Sequence, residues 1–315
     1  MWSQTQQIAP LWREVDAQAI LAVGGGSPID AAKGMAVMAV NDGHIADFCE
    51  AGVDPWPNTP LPIFALPTTA GTGSEVSAAA MINRPTINRK VDIFGPSILP
   101  KVAILDPELT RTLPPALTAY TGIDALCHAI EAYTCARANP ISDAIAERSI
   151  ELIAQNLRKA YANGNNLEAR GNMLLASAMA VIAAANAGGL GVIHSLAQTL
   201  GGYYNAPHGV AIGVCFHHGL EYNMIAVPEK YAKVSALLGT NTTGMSLMTA
   251  ARSLIDPVLE LHDDVGMNET LRGLGAKSDD FPKLAELCML DGCTPPNPRT
   301  LTAKAFESLY WGMYM

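Results

Sequence analysis

The feature that most constrains the fold is the apolar run at residues 19–23, which ends in the sequence GGGSP. An apolar run of this length that leads into a glycine-rich turn is typical of a buried parallel strand followed by a helix. We therefore predict a strand here and helices over residues 1–17 and 28–40. Further apolar runs predict strands at 61–67, 91–94 and 102–106. This alternation predicts an α/β region with parallel strands, whose ligand site lies at the carboxyl ends of those strands.

The pattern changes after DPELTRTLPP at residues 106–115, where long helical periodicities follow one another without a convincing strand. A chain of 315 residues is long enough for two domains. We therefore expect an α/β domain over residues 1–108 and an all-helical domain over residues 109–315. The segment 263–300, which is richer in Gly, Pro and Asp, is predicted to form loops between the last helices.

The amino-acid composition limits the classes of molecule that the protein is expected to bind. A net charge of −9 without a long basic run argues against nucleic acid, because phosphate neutralisation needs clustered Lys and Arg. The six cysteines form no CxxC pair and indicate reduced thiols in a cytoplasmic protein. The N-terminal residues have the pattern of neither a signal peptide nor a membrane anchor, and the Ala-rich run at 175–190 is interpreted as a buried helix. A small molecule is the expected partner.

Two loops at strand ends are candidates for binding a nucleotide. GGGSPIDAAKG at 24–34 has glycines that let the backbone approach a pyrophosphate, followed by a helix N-terminus that favours an anion and carries Asp30 in its first turn. PTTAGTGSE at 67–75 offers the hydroxyls of Thr68, Thr69, Thr72 and Ser74. The alternatives are a tight strand-to-helix connection in the first loop and, in the second, a helix start capped by Thr72 or Ser74.

A stronger signal lies in the helical half. Asp124 and His128 are four residues apart on a predicted helix, and therefore on one face of it. His194 and His208 stand on either side of a Gly201–Gly202 break, so two separate elements could each present an imidazole. Each residue alone could be a capping carboxylate or a core histidine. Together, one carboxylate and three imidazoles suit a divalent transition metal such as Fe²⁺ or Zn²⁺ that acts as a Lewis acid.

Six motifs, in this order and at these separations, resemble those of the iron-containing (group III) alcohol dehydrogenases: GGGSPIDAAKG, PTTAGTGSE, DPELTRTLPP, TGIDALCHAIEAY, HSLAQTLGGYYNAPHG and NPRTLT. The resemblance covers essentially the whole chain. It implies the dehydroquinate synthase-like architecture, with a Rossmann-like parallel sheet before an all-α domain and the active site between them. It also implies that the metal ligands are Asp124, His128, His194 and His208.

The resemblance further assigns a cofactor site for NAD or NADP. The pyrophosphate would lie on Gly25, Gly26 and Ser27. Asp30, in the first turn of the helix that follows, is also assigned to the cofactor site. Lys90 would reach the nicotinamide ribose, although a solvated charge beside Arg89 is the alternative. The remaining cofactor contacts that the resemblance implies are Thr68, Thr69, Thr72 and Leu109.

Two departures from the family pattern affect the expected chemistry. Many relatives carry a histidine near the substrate where this chain has Gln198, and glutamine cannot titrate. Relatives also have a strand, a helix and a second strand before the position that matches Met1. We therefore expect a truncated cofactor domain that binds the nicotinamide cofactor weakly and lacks the usual determinant of NAD or NADP choice.

The expected function is hydride transfer between NAD(P) and a small primary alcohol or diol, or the reverse reduction of an aldehyde, in a homo-oligomer of two or more subunits. Two alternatives stay open. One is a related carbonyl reductase of the maleylacetate reductase or hydroxyacid-oxoacid transhydrogenase type. The other is a truncated, non-catalytic paralogue that binds metal or oligomerises.

Overall fold

The computed structural model describes residues 16–84, 87 and 89–315. The helix predicted over 1–17 therefore lies almost wholly outside the described residues. A parallel sheet has the order β1 (Ile20–Gly24), β2 (Ile63–Pro67) and β5 (Val102–Ala103), with Ile20 opposite Ile63 and Phe64 opposite Val102. Helix α1 (Gly26–Val40) follows β1 directly and packs on this sheet. This confirms the predicted α/β region.

The strands of this sheet are buried on one face. Ile20, Ala22, Ile63 and Ala65 form a small core with α1, whereas Leu21, which alternates with them, is 67% exposed. Within the described residues, the predicted burial of these strands therefore holds for one face only. The last strand is also shorter than the predicted 102–106, because Asp106 instead caps the 3-10 helix Pro107–Thr110.

The strand predicted at 91–94 belongs to a second sheet. Strands β3 (Ala79–Arg84) and β4 (Arg89–Phe94) pair antiparallel, with Ile82 opposite Val91, so the expectation that this strand joins the parallel sheet was wrong. Ile82, Val91 and Ile93 alternate onto a core that includes Phe48 and Trp56. The helix start predicted near Thr72 and Ser74 is only the short 3-10 helix Ser74–Val76.

Ten helices follow within the described residues, and they confirm the predicted all-helical half. They are α2 (Pro115–Thr134), α3 (Pro140–Ala162), α4 (Leu167–Ala187), α5 (Val192–Tyr204), α6 (His208–Met224), α7 (Pro228–Leu237), α8 (Leu247–Arg252), α9 (Ile255–Asp264), α10 (Phe281–Cys288) and α11 (Ala303–Tyr314). Helix α10 lies in the segment 263–300 that was predicted as loops only. Its apolar face, which includes Phe281, Leu284 and Cys288, is buried.

Helix α4 is long and apolar enough to cross a membrane by length and composition, but 61% of its apolar window is buried within the protein. It packs against α2 and α3, as a core helix of a bundle does. Helix α2 also contacts α6, and α5 packs against α6, α10 and strand β4. The contact between α5 and β4 joins the helical half to the α/β half, and the candidate site lies beside it.

Candidate metal centre and cofactor cleft

Helix α2 supplies two of the four predicted metal ligands. Asp124 and His128 lie one turn apart and are buried. The His128 Nδ1 atom lies 2.9 Å from the Asp124 carbonyl oxygen, an arrangement in which Nδ1–H donates to the carbonyl and leaves Nε2 free as an acceptor. The local helix geometry therefore points His128 Nε2 toward the space beside the Asp124 carboxylate.

The other two predicted ligands begin the next pair of packed helices. His194 lies in the first turn of α5 and His208 is the first residue of α6. The Asp124 Oδ1 atom lies 3.6 Å from Nε2 of each of these histidines and 3.5 Å from His128 Nδ1. His194 Nε2 lies 3.1 Å from His128 Nε2. The structure therefore brings all four residues together, and the His208 side chain, 26% exposed, marks the open side of the cluster.

The donor set fits a divalent cation. Asp124 Oδ1 is buried and has no hydrogen-bond partner, although three imidazoles surround it. The ligand atoms of Asp124, His194 and His208 all lie within 4.8 Å of one another. A buried carboxylate oxygen without a partner is costly unless a cation compensates it, and one carboxylate with imidazole nitrogens is a typical ligand set for iron or zinc.

The charges and pKa values of the cluster also favour a bound cation. Burial lowers the pKa of His128 to about 4 and that of His208 to about 3, against the opposing charge of Asp124, so both are neutral near pH 7. Burial would raise the pKa of Asp124, but the three histidines hold it far below its ordinary value. Burial would likewise lower the pKa of His194, but Asp124 and Glu131 raise it to about 9. A proton on His194 balances only one of the two carboxylates, whereas a divalent metal ion would balance both.

The two predicted cofactor loops meet at the carboxyl ends of β1 and β2. A Cβ added to Gly25 would lie 3.0 Å from Thr69 Oγ1, and one added to Gly26 would lie 2.7 Å from Thr72 Cγ2. Only glycine permits this approach. Helix α1 starts here without a side-chain cap, and Ser27 in its first turn is exposed. Uncapped amides at a helix N-terminus beside a glycine loop form a fitting cradle for a pyrophosphate.

Three other predicted cofactor residues differ in their surroundings. The Thr68 amide donates to the Gly24 carbonyl (2.9 Å), which joins the two loops. Leu109 is half-buried in the 3-10 helix that packs between β2 and α4. Asp30 is buried, and its Oδ2 accepts from the Met81 amide (3.0 Å), so its contacts tie α1 to β3.

Lys90 lies between the two candidate sites. It is on β4, and a Cβ added to Gly201 of α5 would lie 3.3 Å from its Nζ. Burial lowers the pKa of Lys90, while the charges of Asp124 in the metal cluster and Asp30 behind the glycine loop oppose that shift. A single ammonium group therefore interacts with both the metal cluster and the cofactor side of the cleft.

Lys90 also lines a small pocket with Arg89, Gln198, Thr199 and Asp291. Gln198 Nε2 donates to Cys293 Sγ (3.6 Å), and the Cys293 amide donates to Asp291 Oδ1 (2.8 Å). Burial raises the pKa of Asp291 to about 6. The sequence analysis did not identify Asp291, because it lies in a segment predicted as plain loop.

Glu131 was also missed. It lies one turn after His128 on α2 and contacts His194. Its position seven residues after Asp124 places it on the same helical face, and this spacing was the available signal.

Sequence comparison identifies the family. Residues 2–107 match the family described as iron-containing alcohol dehydrogenase, and residues 118–314 match the C-terminal region of the Fe-containing alcohol dehydrogenase family. The chain is 45% identical over 289 residues to a 1,3-propanediol dehydrogenase of Klebsiella pneumoniae, covering 92% of this chain and 74% of that enzyme. It is 37% identical over 292 residues to a lactaldehyde reductase of Escherichia coli (strain K12), covering 92% and 75%.

Comparison with solved structures supports the same family. A 1,3-propanediol oxidoreductase structure superposes with a TM-score of 0.95 at 40% identity and covers 99% of this chain and 81% of that one. A sulfoacetaldehyde reductase from Bifidobacterium kashiwanohense in complex with NAD⁺ superposes with a TM-score of 0.87 at 29% identity, covering 99% and 80%. These matches confirm the resemblance and the fold predicted from the six motifs. The chain therefore belongs to the iron-containing alcohol dehydrogenase family, and it is a metal-dependent alcohol and aldehyde oxidoreductase.

Proposed function

We propose that Asp124, His128, His194 and His208 hold one divalent cation, Fe²⁺ or alternatively Zn²⁺. The observation that carries this assignment is the buried, unpartnered Asp124 Oδ1 with Nε2 of His194 and of His208 at 3.6 Å. The free Nε2 of His128 lies 3.1 Å from His194 Nε2. A cation in that position supplies a Lewis acid that favours the alkoxide form of an alcohol. The Asp124 carboxylate and the neutral histidines keep the site at a net positive charge when the cation is bound.

We propose that the nicotinamide cofactor, NAD or NADP, lies along the cleft that starts at the α1 N-terminus. Gly25, Gly26 and Ser27 would hold the pyrophosphate with backbone amides. Lys90 would orient the nicotinamide ribose, because its Nζ lies beside Gly201 on the helix that carries His194, and the charges of Asp124 and Asp30 both act to raise its pKa. The other contacts in this proposal are Thr68, Thr69, Thr72 and Leu109. Asp30 would support the loop from behind through its bond to Met81.

We propose that the substrate is a small primary alcohol or diol, or the corresponding aldehyde, held in the pocket beside α5. Relatives at 37–45% identity bear the names 1,3-propanediol dehydrogenase and lactaldehyde reductase. Gln198 can orient a substrate oxygen by hydrogen bonding but cannot take up its proton. Asp291 lines the same pocket, and burial raises its pKa to about 6, so it is the carboxylate that we assign to moving the alcohol proton toward solvent.

The same proposal assigns a role to each domain, a cellular compartment and an oligomeric state. Residues 1–108 would hold the cofactor and residues 109–315 the metal. The acidic net charge of −9 argues against nucleic acid and anionic membrane surfaces as partners. We propose that the enzyme is cytoplasmic. We propose a homo-oligomer of two or more subunits.

The experiment is anaerobic reconstitution with Fe²⁺, followed by metal analysis and an assay of 1,3-propanediol oxidation with NAD⁺ and with NADP⁺. We expect one metal ion per chain and activity that depends on it. Asp124→Asn keeps the side-chain volume but removes the ligand charge, so it should lose both metal and activity. Asp256→Asn, at an exposed position in the first turn of α9, should lose neither. Equal metal content in wild type and Asp124→Asn would contradict the assignment.

A further inference from the structure

Glu131 makes an unusual set of contacts with the start of α5. Its Oε1 accepts from the Ile193 amide (2.7 Å), and its Oε2 accepts from the His194 amide (3.3 Å). Oε2 also lies 2.5 Å from His194 Nδ1. A single carboxylate, 2% exposed, therefore binds two backbone amides of one helix N-terminus and the imidazole that the helix presents.

These contacts do not form a second metal site. Cys127, Glu131 and His194 have ligand atoms within 4.8 Å of one another, which alone would permit an ion. Two ligands at about 2 Å from one tetrahedral ion lie more than 3 Å apart, so a separation of 2.5 Å between Nδ1 and Oε2 indicates a hydrogen bond.

Another residue caps the same helix without touching His194. Asn297 Oδ1 accepts from the Val192 amide (3.0 Å), and Asn297 is held by mutual bonds with Asn223 at 2.7 and 2.8 Å. The structure thus separates two effects. Asn297 binds only the helix start, whereas Glu131 binds both the helix start and the imidazole.

We propose that Glu131 is a positioning residue that holds His194 with its proton on Nδ1 and its Nε2 directed at the proposed cation. This inference rests on the proposed metal site. The physical reason is that a carboxylate only accepts hydrogen bonds, so a His194 ring bonded to it must carry hydrogen on Nδ1. In the neutral form, which a metal ligand must have, the lone pair is then at Nε2. Because Asp124, His128 and Glu131 share one helix face, α2 would provide two ligands and the partner of a third.

The test is Glu131→Gln, which keeps the size of the side chain. Its amide oxygen can accept from Ile193, but the amide nitrogen then faces His194 Nδ1 and favours the tautomer with hydrogen on Nε2, which cannot ligate. We expect Co²⁺ affinity, measured by competition with a chromophoric chelator, to fall about 10–100-fold. The visible absorption of the Co²⁺ protein should change in parallel. Glu131→Asp retains the charge and should recover part of the affinity.

Asn297→Ala is the matched control. It should lower the melting temperature of the metal-free protein and leave Co²⁺ affinity unchanged within about twofold, because it leaves the His194 ring bonded to Glu131. If Asn297→Ala does not fold, the comparison of Glu131→Gln with Glu131→Asp still decides the matter. Wild-type affinity in Glu131→Gln, or equal losses in the Gln and Asp variants, would overturn the proposal.

His208→Ala distinguishes this failure from failure of the proposed metal site itself. If His208→Ala loses Co²⁺ while Glu131→Gln keeps it, the metal site stands and the role of Glu131 is wrong. If both variants keep their Co²⁺, the assignment of the metal ligands is wrong as well. Two Co²⁺ ions bound per wild-type chain would also overturn the proposal, because one would then occupy the Cys127–Glu131–His194 group.

Discussion

At the scale of single residues, the candidate site combines groups that would destabilise the fold if no cation compensated them. Asp124 is 2% exposed, and its Oδ1 lacks a hydrogen-bond partner. Nε2 of His194 and Nε2 of His208 each lie 3.6 Å from that oxygen. A core position that served stability alone would pair such a carboxylate oxygen. This arrangement is the one that the proposed cation would stabilise.

His194→Ala and His208→Ala should each remove most of the bound metal, because three ligands hold an ion less firmly than four in a site that also keeps a position open for substrate. Elemental analysis after dialysis measures this. His44→Ala, at the cap of the 3-10 helix Ile45–Phe48, is the control and should retain the metal. Full metal content in both site variants would exclude these histidines as ligands.

Gln198→His should change the pH dependence of alcohol oxidation more than it changes metal content. An imidazole at this position accepts a proton only above its pKa, ordinarily about 6.5, so the rate should gain a rising step near neutral pH. If Asp291 moves the proton in the wild type, as proposed, its raised pKa predicts the wild-type step at about 6. Steady-state rates of alcohol oxidation, measured between pH 5 and 9 for both proteins, test whether the rising step moves. Superimposable profiles would mean that position 198 plays no part in proton movement.

Glu75→Gln should stabilise the protein only at higher pH. Burial raises the pKa of Glu75 from 4.5 to about 7. A raised carboxyl pKa means that the folded state loses stability as pH rises from the unfolded pKa through the folded one, because the unfolded chain ionises more readily. Urea unfolding should therefore show the variant more stable than wild type by about 1–3 kcal/mol at pH 8. The difference should vanish below pH 4.5, the ordinary value. A gain of equal size at both pH values would contradict the assigned cause.

At the scale of helices and strands, the sequence predicts where each element lies better than it predicts which strands pair in a sheet. The runs at 19–23 and 61–67 became β1 and β2, and the turn after GGG became α1 as expected. Strand β4 was predicted, but its antiparallel partner β3 was missed because its sequence AAMINR begins with residues of low strand propensity. An apolar alternation shows that a strand has one buried face, but it does not specify the neighbouring strand.

The same limit applies to the site. The spacing of Asp124 and His128 predicts that they share a helix face, and α2 confirms it. The closeness of His194 and His208 to that face depends on how α5 and α6 pack on α2, which no local pattern encodes. Only the order of the six motifs supplied that information. Their role as ligands stays a prediction, and Glu131 and Asp291 were not predicted because each has meaning only beside its partners in space.

Close packing of α2 against α3 gives a prediction at this scale. A Cβ on Gly122 of α2 would overlap Leu157 of α3, whereas one on Gly171 of α4 would lie 3.8 Å from Pro107 in ordinary contact. Gly122→Ala should therefore lower the free energy of unfolding by about 1–3 kcal/mol. Gly171→Ala, also in a helix interior, should be neutral or stabilising by up to about 1 kcal/mol. Urea titrations of both variants measure the difference, and equal effects would contradict this packing.

At the scale of the whole molecule, the α/β half and the helical half meet where α5 packs on β4 and where α4 packs on the 3-10 helix Ser74–Val76. Helix α5 carries His194 and Gln198 and packs against β4, which carries Lys90. The glycine loops lie at the carboxyl ends of β1 and β2, and the metal candidates lie on α2, α5 and α6. The chain spans 74–81% of the relatives compared above, and this span includes both the loops and the metal candidates.

The central claim is that hydride transfer requires a cation held by Asp124, His128, His194 and His208. The most direct measurement is a single turnover with 1,3-propanediol that carries deuterium on its carbinol carbons, with NAD⁺ as acceptor, followed by mass analysis of the reduced nicotinamide. Protein loaded with Fe²⁺ should transfer deuterium to the nicotinamide. The same protein after chelation, and Asp124→Asn after exposure to Fe²⁺, should transfer none above background. Deuterium transfer at equal rates in the loaded, chelated and Asp124→Asn proteins would contradict the claim.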